Sequence, residues 1–469
     1  DNFWLCCGSQ VGIAWGPGAG KYLAQWMVHG AADISMASFD PRRFGAKIDN
    51  DYRINKAKED YLLRHEIPFP HLDRPDCRPS HSKTSPLYEV LKAKGAVYQD
   101  VYGWERPYWY ATGDVPQEHI HSFKRSVMHD VIGAEVKGLR EAAGIADLTA
   151  FSKVEVSGAD AVAYLERVSS NRVPKKDGSS GLTYMVNPNG RLEGETSIAK
   201  LGENHFYLVY AAAKEASLLD WMRMQIADGE DVVLTNVSED RGVIMLAGPK
   251  AREILAQATD ADLSNEGFKW LTTQHITVAS VGDVRAMRVT YTGELGWELH
   301  IPMAGMLAVY EALVAAGEPM GMVHVGSALL NAVRMEKAYK SGHEITNEVT
   351  LTEAGLERFT RKDANFQGAE ISTAPATKWV VALLQLEEYQ GVDADPLGAE
   401  MVTMNGARVG AVTGGGYGYA VGAYLAWAYV SVEAAKPGTE LEVLVLSKPR
   451  KAVVLDGPVW DPDNSRMKA

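Results

Sequence analysis

YTGELGWELHIP, residues 291–302, is the stretch of this sequence whose residue types best suit chemistry. Gly293 and Gly296 allow a close backbone approach to a ligand, while Tyr291, Glu294 and Glu298 can be aimed from the turn and the strand. On residue types alone the plainer reading, a hairpin with surface acids, is favoured. The glycine-rich GSQVGIAWGPGAGK, residues 8–21, invites a phosphate-loop reading and fails it. That loop needs a glycine, four residues, then Gly-Lys-Ser/Thr, so that amides wrap the phosphates and a hydroxyl meets the metal. Here Gly20-Lys21 is followed by Tyr22, and the leading position is Trp15. A dinucleotide fingerprint needs a buried strand ahead of its glycines, and too few residues precede Gly8. Cys77-x-x-x-His81 has no second ligand pair at zinc spacing, so no metal site is expected.

The elements that must position these residues belong to a chain of 469 residues, 46% apolar, which implies two to four globular domains. A net charge of −13 spread along the chain argues against nucleic acid or an anionic membrane as the main partner. The longest apolar candidate, YAVGAYLAWAYVSV, is interrupted by glycine and reads as strand-turn-strand, so a soluble protein without a membrane span is expected. Three cysteines, Cys6, Cys7 and Cys77, cannot make a disulfide framework, and a reducing compartment follows. The chain opens on Asp with no signal segment, which suggests a cut or incomplete N-terminus.

Residues 1–32 read as a short strand, a glycine turn and a helix capped by Gly30. Residues 60–125 are rich in Pro, His and aromatics without periodicity, a connecting segment packed against something large. From residue 126 the order improves: a helix closed by Gly144, a strand KVEVSG, a helix from Ala159 and a hairpin at VNPNGRLEGETSIAKL. A second round of strands and helices follows to about residue 340, which implies an α+β core of two related lobes. After residue 372 only strands are expected, as a small β-barrel or jelly roll.

The stretch 291–302 resembles the folate-site signature of the glycine-cleavage aminomethyltransferase family. The chain around it is similar to the C-terminal half of the sarcosine and dimethylglycine dehydrogenases. The segments that carry this likeness are RPSHSKTSPLYEVLKAKGAVYQDVYGWERPYWY, LREAAGIADLTAFSKVEVSGADAVAYL, RMEKAYKSGHEITNEVTLTEAGLERF and PVWDPDNSRMK. The resemblance implies four regions: residues 1–40 as the tail of an FAD-binding α/β domain, 41–125 as a connecting segment, 126–371 as a two-lobed aminomethyltransferase-like folate domain, and 372–469 as a C-terminal β-barrel. It also answers the question of the glycines, which would close a flavin site, with Gly8, Gly12 and Ile13 at FAD and most FAD contacts on a part outside this chain.

The same likeness assigns roles. Glu195, after the N-x-x-G turn, stands where the family's carboxylate meets the reacting nitrogen of tetrahydrofolate; many relatives carry Asp there. An acceptor at that place assists loss of the nitrogen's proton. Tyr291 matches a tyrosine beside the folate and shares the catalytic assignment with Glu195. Glu298 matches the glutamate that reads the pterin's N–H groups, to which two carboxylate oxygens are well suited. Tyr207 stands at a pterin-pocket position, though a strand tyrosine is more often plain core. The family's folate arginine corresponds to Leu330, so that contact is absent, and Arg334 with Glu336 reads as a helix charge pattern. The dehydrogenases place a tryptophan between Ser341 and Gly342 that this chain lacks. The basic run Arg172, Lys175, Lys176 could meet a polyglutamate tail, but a charge run is usually a solvated face.

The resulting expectation is the folate part of a flavin-dependent dehydrogenase or demethylase of a small N-methylated amino acid, capturing the one-carbon unit as 5,10-methylene-tetrahydrofolate. Its cofactors would be tetrahydrofolate and FAD, and its partners the amine, an FAD-binding domain or subunit and an electron acceptor, in the cytoplasm or the mitochondrial matrix. The segment 60–125 would help enclose a passage for the one-carbon intermediate. Two rivals remain: a non-catalytic relative resembling the pyruvate dehydrogenase phosphatase regulatory subunit, and a self-contained folate-dependent demethylase.

Overall fold

The structure, a computed structural model, describes residues 4–6, 13, 15–30, 32–45, 48–65, 83–117, 124–388 and 394–469. Two mixed α and β lobes and a barrel make up its bulk. In the first lobe five antiparallel strands run in the order Ser180–Val186, Leu192–Gly202, His205–Tyr210, Ser152–Ser157, Val233–Asn236. The helices Ala161–Val168 and Glu215–Met224 cover one face, burying Tyr164, Leu165, Trp221 and Met222 against Val154, Phe206 and Leu208. The second lobe has six strands in the order Thr273–Val278, Val281–Met287, Gly296–Pro302, Arg241–Ala247, Gly144–Asp147, Val323–His324. The helix Met306–Gly317 packs on one of its faces, and Val127–Glu141 with Ser327–Glu336 contribute to a separate core. The expected α+β pair of lobes is therefore present.

The strands expected after residue 372 close into a six-stranded barrel, Trp379–Leu386, Ala423–Ser431, Ala407–Gly418, Met401–Met404, Glu440–Val445 and Lys448–Val454 in order around the ring. Closure removes sheet edges and buries Leu384, Val402, Ala426 and Val443 inside.

Two local expectations change. The helix Val127–Glu141, capped by Ser126 Oγ accepting from Met128 N–H, ends at Ala142; Gly144 instead opens a strand. The reason is packing, since a Cβ on Gly144 would stand 2.8 Å from Leu139 and 3.0 Å from Val325. The connecting segment also holds regular structure, with a helix Tyr88–Ala93 and an antiparallel hairpin Ala96–Val101 with Trp104–Tyr110. Its second strand is buried at nearly every position, so it shows no alternation for a pattern to reveal.

That hairpin fixes the helix that carries part of the site. Glu135, buried in Val127–Glu141, accepts from the backbone N–H of Tyr110 and of Gly326, both at 3.0 Å. Burial pushes its carboxyl up to about 7, against the pull of those two donors. Gly326 is pressed so closely on the hairpin that a Cβ would lie 2.1 Å from Tyr108 O. The helix Ser327–Glu336 starts from this clamp.

Candidate functional site

A cavity of about 1250 Å³ is lined by both lobes and by the segment ahead of them. Glu195, Tyr291 and Glu298 all line it, together with Arg334 and Lys340, and Asp100 of the hairpin contributes from the connecting segment. Three sequence-derived candidates from different strands and turns are thus brought together.

Strand periodicity presents Glu298. In Gly296–Pro302 the side chains of Trp297, Leu299 and Ile301 go into the core, which leaves Glu298 and His300 on the other face. The Glu298 side chain is 18% exposed, and its oxygens accept no hydrogen bond from any described residue. His300 Nε2 stands 3.7 Å from one of them, beyond hydrogen-bonding range. The other ring nitrogen, Nδ1, is 3.0 Å from the hydroxyl of Tyr207. Burial lowers the His300 pKa, so the ring is neutral at physiological pH. Tyr207 itself is fully buried, under the guanidinium of Arg285 at 4.8 Å, and does not line the cavity. It holds the histidine that backs Glu298.

Register presents Glu195. On the strand Leu192–Gly202 burial alternates, so Glu193, Glu195 and Ser197 share the face opposite Leu192 and Ile198. Glu195 is paired directly with Tyr184 across the ladder, which puts their side chains on one face, and the tyrosine hydroxyl donates to Glu195 Oε2 at 2.8 Å. Desolvation raises the Glu195 pKa, opposed by that bond and by the charges of Lys340, Arg334 and Arg358. The carboxyl is thereby placed to accept a proton at higher pH than a solvated glutamate would. Tyr291 donates to the backbone oxygen of Lys340 at 2.8 Å and stacks on Tyr339 at 5.3 Å between centroids; burial holds its phenol protonated.

The loop after Ser327–Glu336 completes the wall. Arg334 donates to Asn331 Oδ1 at 2.9 Å, Tyr339 O at 3.2 Å and Glu344 Oε2 at 3.2 Å. Glu336 takes a different partner, Arg140 at 2.9 Å, so the two residues serve separate networks. The barrel secures this loop: Thr413 Oγ1 donates to Glu344 Oε1 and Tyr429 to Glu344 O, each at 2.7 Å. Lys340 lies over Trp427 at 4.6 Å, and burial pushes its ammonium down to about 8. Ser341, Gly342 and His343 line the cavity where the resemblance implies a missing tryptophan.

Other candidates lie apart. Glu294 is 2% exposed and paired with Arg140 at 2.8 Å and Arg466 at 3.4 Å, with Trp460 against both guanidiniums, so it is structural. Arg172, Lys175 and Lys176 are exposed. Gly8 and Gly12 fall outside the described residues, while Ile13 is 95% exposed. Cys6 is exposed and free; Cys7, Cys77 and His81 fall outside the described residues. Among the described residues no helix is long and apolar enough to cross a membrane. Sequence reasoning missed Tyr184, Lys340 and Asp100. Tyr184 was open to discovery, since it mirrors Glu195 once the hairpin register is counted from the N-x-x-G turn.

Residues 87–364, more than half of the chain, match the GCVT N-terminal domain; residues 381–461 match the glycine cleavage T-protein C-terminal barrel domain, and 29–82 the FAD dependent oxidoreductase central domain. Human mitochondrial dimethylglycine dehydrogenase is 32% identical over 100% of this chain and 54% of its own length. Human mitochondrial sarcosine dehydrogenase is 30% identical over 100% of this chain and 56% of its own. The chain thus spans about half the length of the curated relatives it matches. The crystal structure of the glycine cleavage system aminomethyltransferase from Bartonella henselae superposes with a TM-score of 0.68 at 25% identity, covering 81% of this chain and 98% of that one. With both T-protein domains matched in order, and the central domain of FAD-dependent oxidoreductases ahead of them, the chain belongs to the glycine cleavage T-protein family.

Proposed function

We propose that this chain is the folate-binding part of a flavin-dependent dehydrogenase or demethylase of a small N-methylated amino acid. The observation that carries the reading is the pair of carboxylates, Glu298 and Glu195, facing one cavity beside Tyr291. Glu298 has two acceptor oxygens without internal donors, which fits the adjacent N–H groups of a pterin. Glu195, kept in place by Tyr184, would take the proton released as a folate nitrogen accepts the one-carbon unit. Bound tetrahydrofolate would supply the nucleophilic nitrogens; the chain's residues orient it and move the proton. Gln99, Asp100 and Tyr108 of the connecting segment line the same cavity, which supports enclosure of a reactive carbon between its source and its acceptor.

Amine oxidation belongs in this reading to an FAD-binding part or subunit. The helix Gly16–His29 supports such a partner: none of its residues is buried, and Met27 and Val28 are 50% and 74% exposed. Calorimetric titration of the full chain with tetrahydrofolate and with FAD tests the assignment. Stoichiometric folate binding with little FAD binding is expected. Tight FAD binding would overturn the division of labour assigned to residues 1–40, and no folate binding would overturn the reading as a whole.

A further inference from the structure

Lys214 ends the short turn Ala212–Lys214 and directly precedes the helix Glu215–Met224. It lines the same cavity as Glu195, next to Ala211 and Ala213. Surrounding protein desolvates its ammonium and lowers its pKa, a penalty only partly relieved by the charge of Glu193. The ammonium nevertheless makes no hydrogen bond and no ion pair with any described residue. The other cavity cations are matched: Arg334 by Asn331, Tyr339 and Glu344, Lys56 by Glu59 at 2.7 Å, Lys340 by Gly355 O at 3.3 Å and the Trp427 ring. Glu193 does not complete a pair with Lys214. It accepts from Asn187 Nδ2 at 2.8 Å, and burial displaces it toward its neutral form.

Lys214 is partly buried, so its ammonium belongs to the cavity wall rather than to the core, and a cavity cation that no protein group engages is free to pair with the anionic group of a ligand. The placement agrees. Glu193 and Glu195 are two residues apart on one strand face, about 7 Å at the usual rise, so a charge near Glu193 is within one small ligand's reach of Glu195. We infer that Lys214 is a carboxylate-binding residue of this cavity, seating the carboxylate of a ligand whose reacting atoms lie at Glu195. This inference rests on the function proposed above. Two ligands of that function carry the required group: folate, at its glutamate end, and the small N-methylated amino acid.

The experiment compares the full chain with Lys214→Gln by calorimetry, using two ligand pairs. Tetrahydrofolate is set against tetrahydropterin, which lacks the glutamate, and N,N-dimethylglycine against trimethylamine, which lacks the carboxylate. A selective loss of roughly tenfold or more for one carboxylate-bearing ligand, with its counterpart unchanged, is expected. Loss with tetrahydrofolate identifies the glutamate end; loss with dimethylglycine identifies the amino acid. Unchanged affinity for both carboxylate ligands overturns the inference. Thermal unfolding of unliganded Lys214→Met gives an independent reading. A partly buried charge without a protein partner implies a variant at least as stable as the parent, whereas a clear fall in melting temperature would make Lys214 a structural residue and overturn the inference too. If the parent chain binds neither tetrahydropterin nor tetrahydrofolate, the folate assignment fails, while the dimethylglycine pair and the unfolding comparison still judge Lys214.

Discussion

Replacing Glu298 with glutamine changes one oxygen for an NH2 group and leaves the shape of the side chain intact. In the unliganded protein this substitution removes no hydrogen bond from a described residue, because the carboxylate oxygens accept none and His300 Nε2 stands 3.7 Å away. Stability should therefore stay within about 0.5 kcal/mol of the parent, as for a substitution away from any packed or paired feature. Binding should respond quite differently. A carboxylate facing two adjacent N–H groups accepts from both, whereas glutamine accepts from one and turns its own N–H toward the other. Loss of one charge-assisted hydrogen bond costs about 1.5–3 kcal/mol, roughly ten- to hundredfold in the dissociation constant for tetrahydrofolate. Calorimetric titration of both forms, with thermal unfolding alongside, separates the two effects. Normal folate affinity in Glu298→Gln would refute the pterin assignment, and a large loss of stability would refute the claim that the carboxylate is held for a ligand.

Tyr184→Phe removes the donor that favours the ionised form of Glu195, so the Glu195 pKa, already raised by burial, is expected to rise further in a 13C NMR titration of its carboxyl group. An unchanged titration would remove Tyr184 as the positioning residue. Lys153 tests the fold by pH. Its buried ammonium donates to Thr149 O and Arg241 O, both at 2.8 Å, and desolvation pushes its pKa down to about 7 from 10.5. Between those values the unfolded chain holds a proton that the native chain lacks, so this residue makes stability rise with pH from about 7 toward 10.5. Urea midpoints measured across that window should climb less steeply in Lys153→Met than in the parent.

Legibility in the sequence followed periodicity. The alternation in Leu192–Gly202 and the glycine turns of the barrel follow rules that a single sequence displays, and these elements stand where they were expected. The strand Trp104–Tyr110 was hidden because burial on both faces removes alternation. Gly144 misled because a glycine that admits Leu139 and Val325 looks like one that stops a helix. At the site, Glu195, Tyr291 and Glu298 were reached through a family likeness, and their meeting in one cavity is a tertiary fact. Glu294 and Glu298 share a motif but not a fate: one is consumed by Arg140 and Arg466, the other is left open to the cavity. Nothing local in the sequence separates them, since the two arginines that consume Glu294 are more than a hundred residues away in the chain.

The most direct measurement is a crystal structure of the full chain with tetrahydrofolate. The pterin edge is expected within hydrogen-bonding distance of both Glu298 oxygens, with the reacting nitrogens facing Glu195 and Tyr291 alongside. Folate bound elsewhere, or in this cavity with its pterin turned away from Glu298, would contradict this placement.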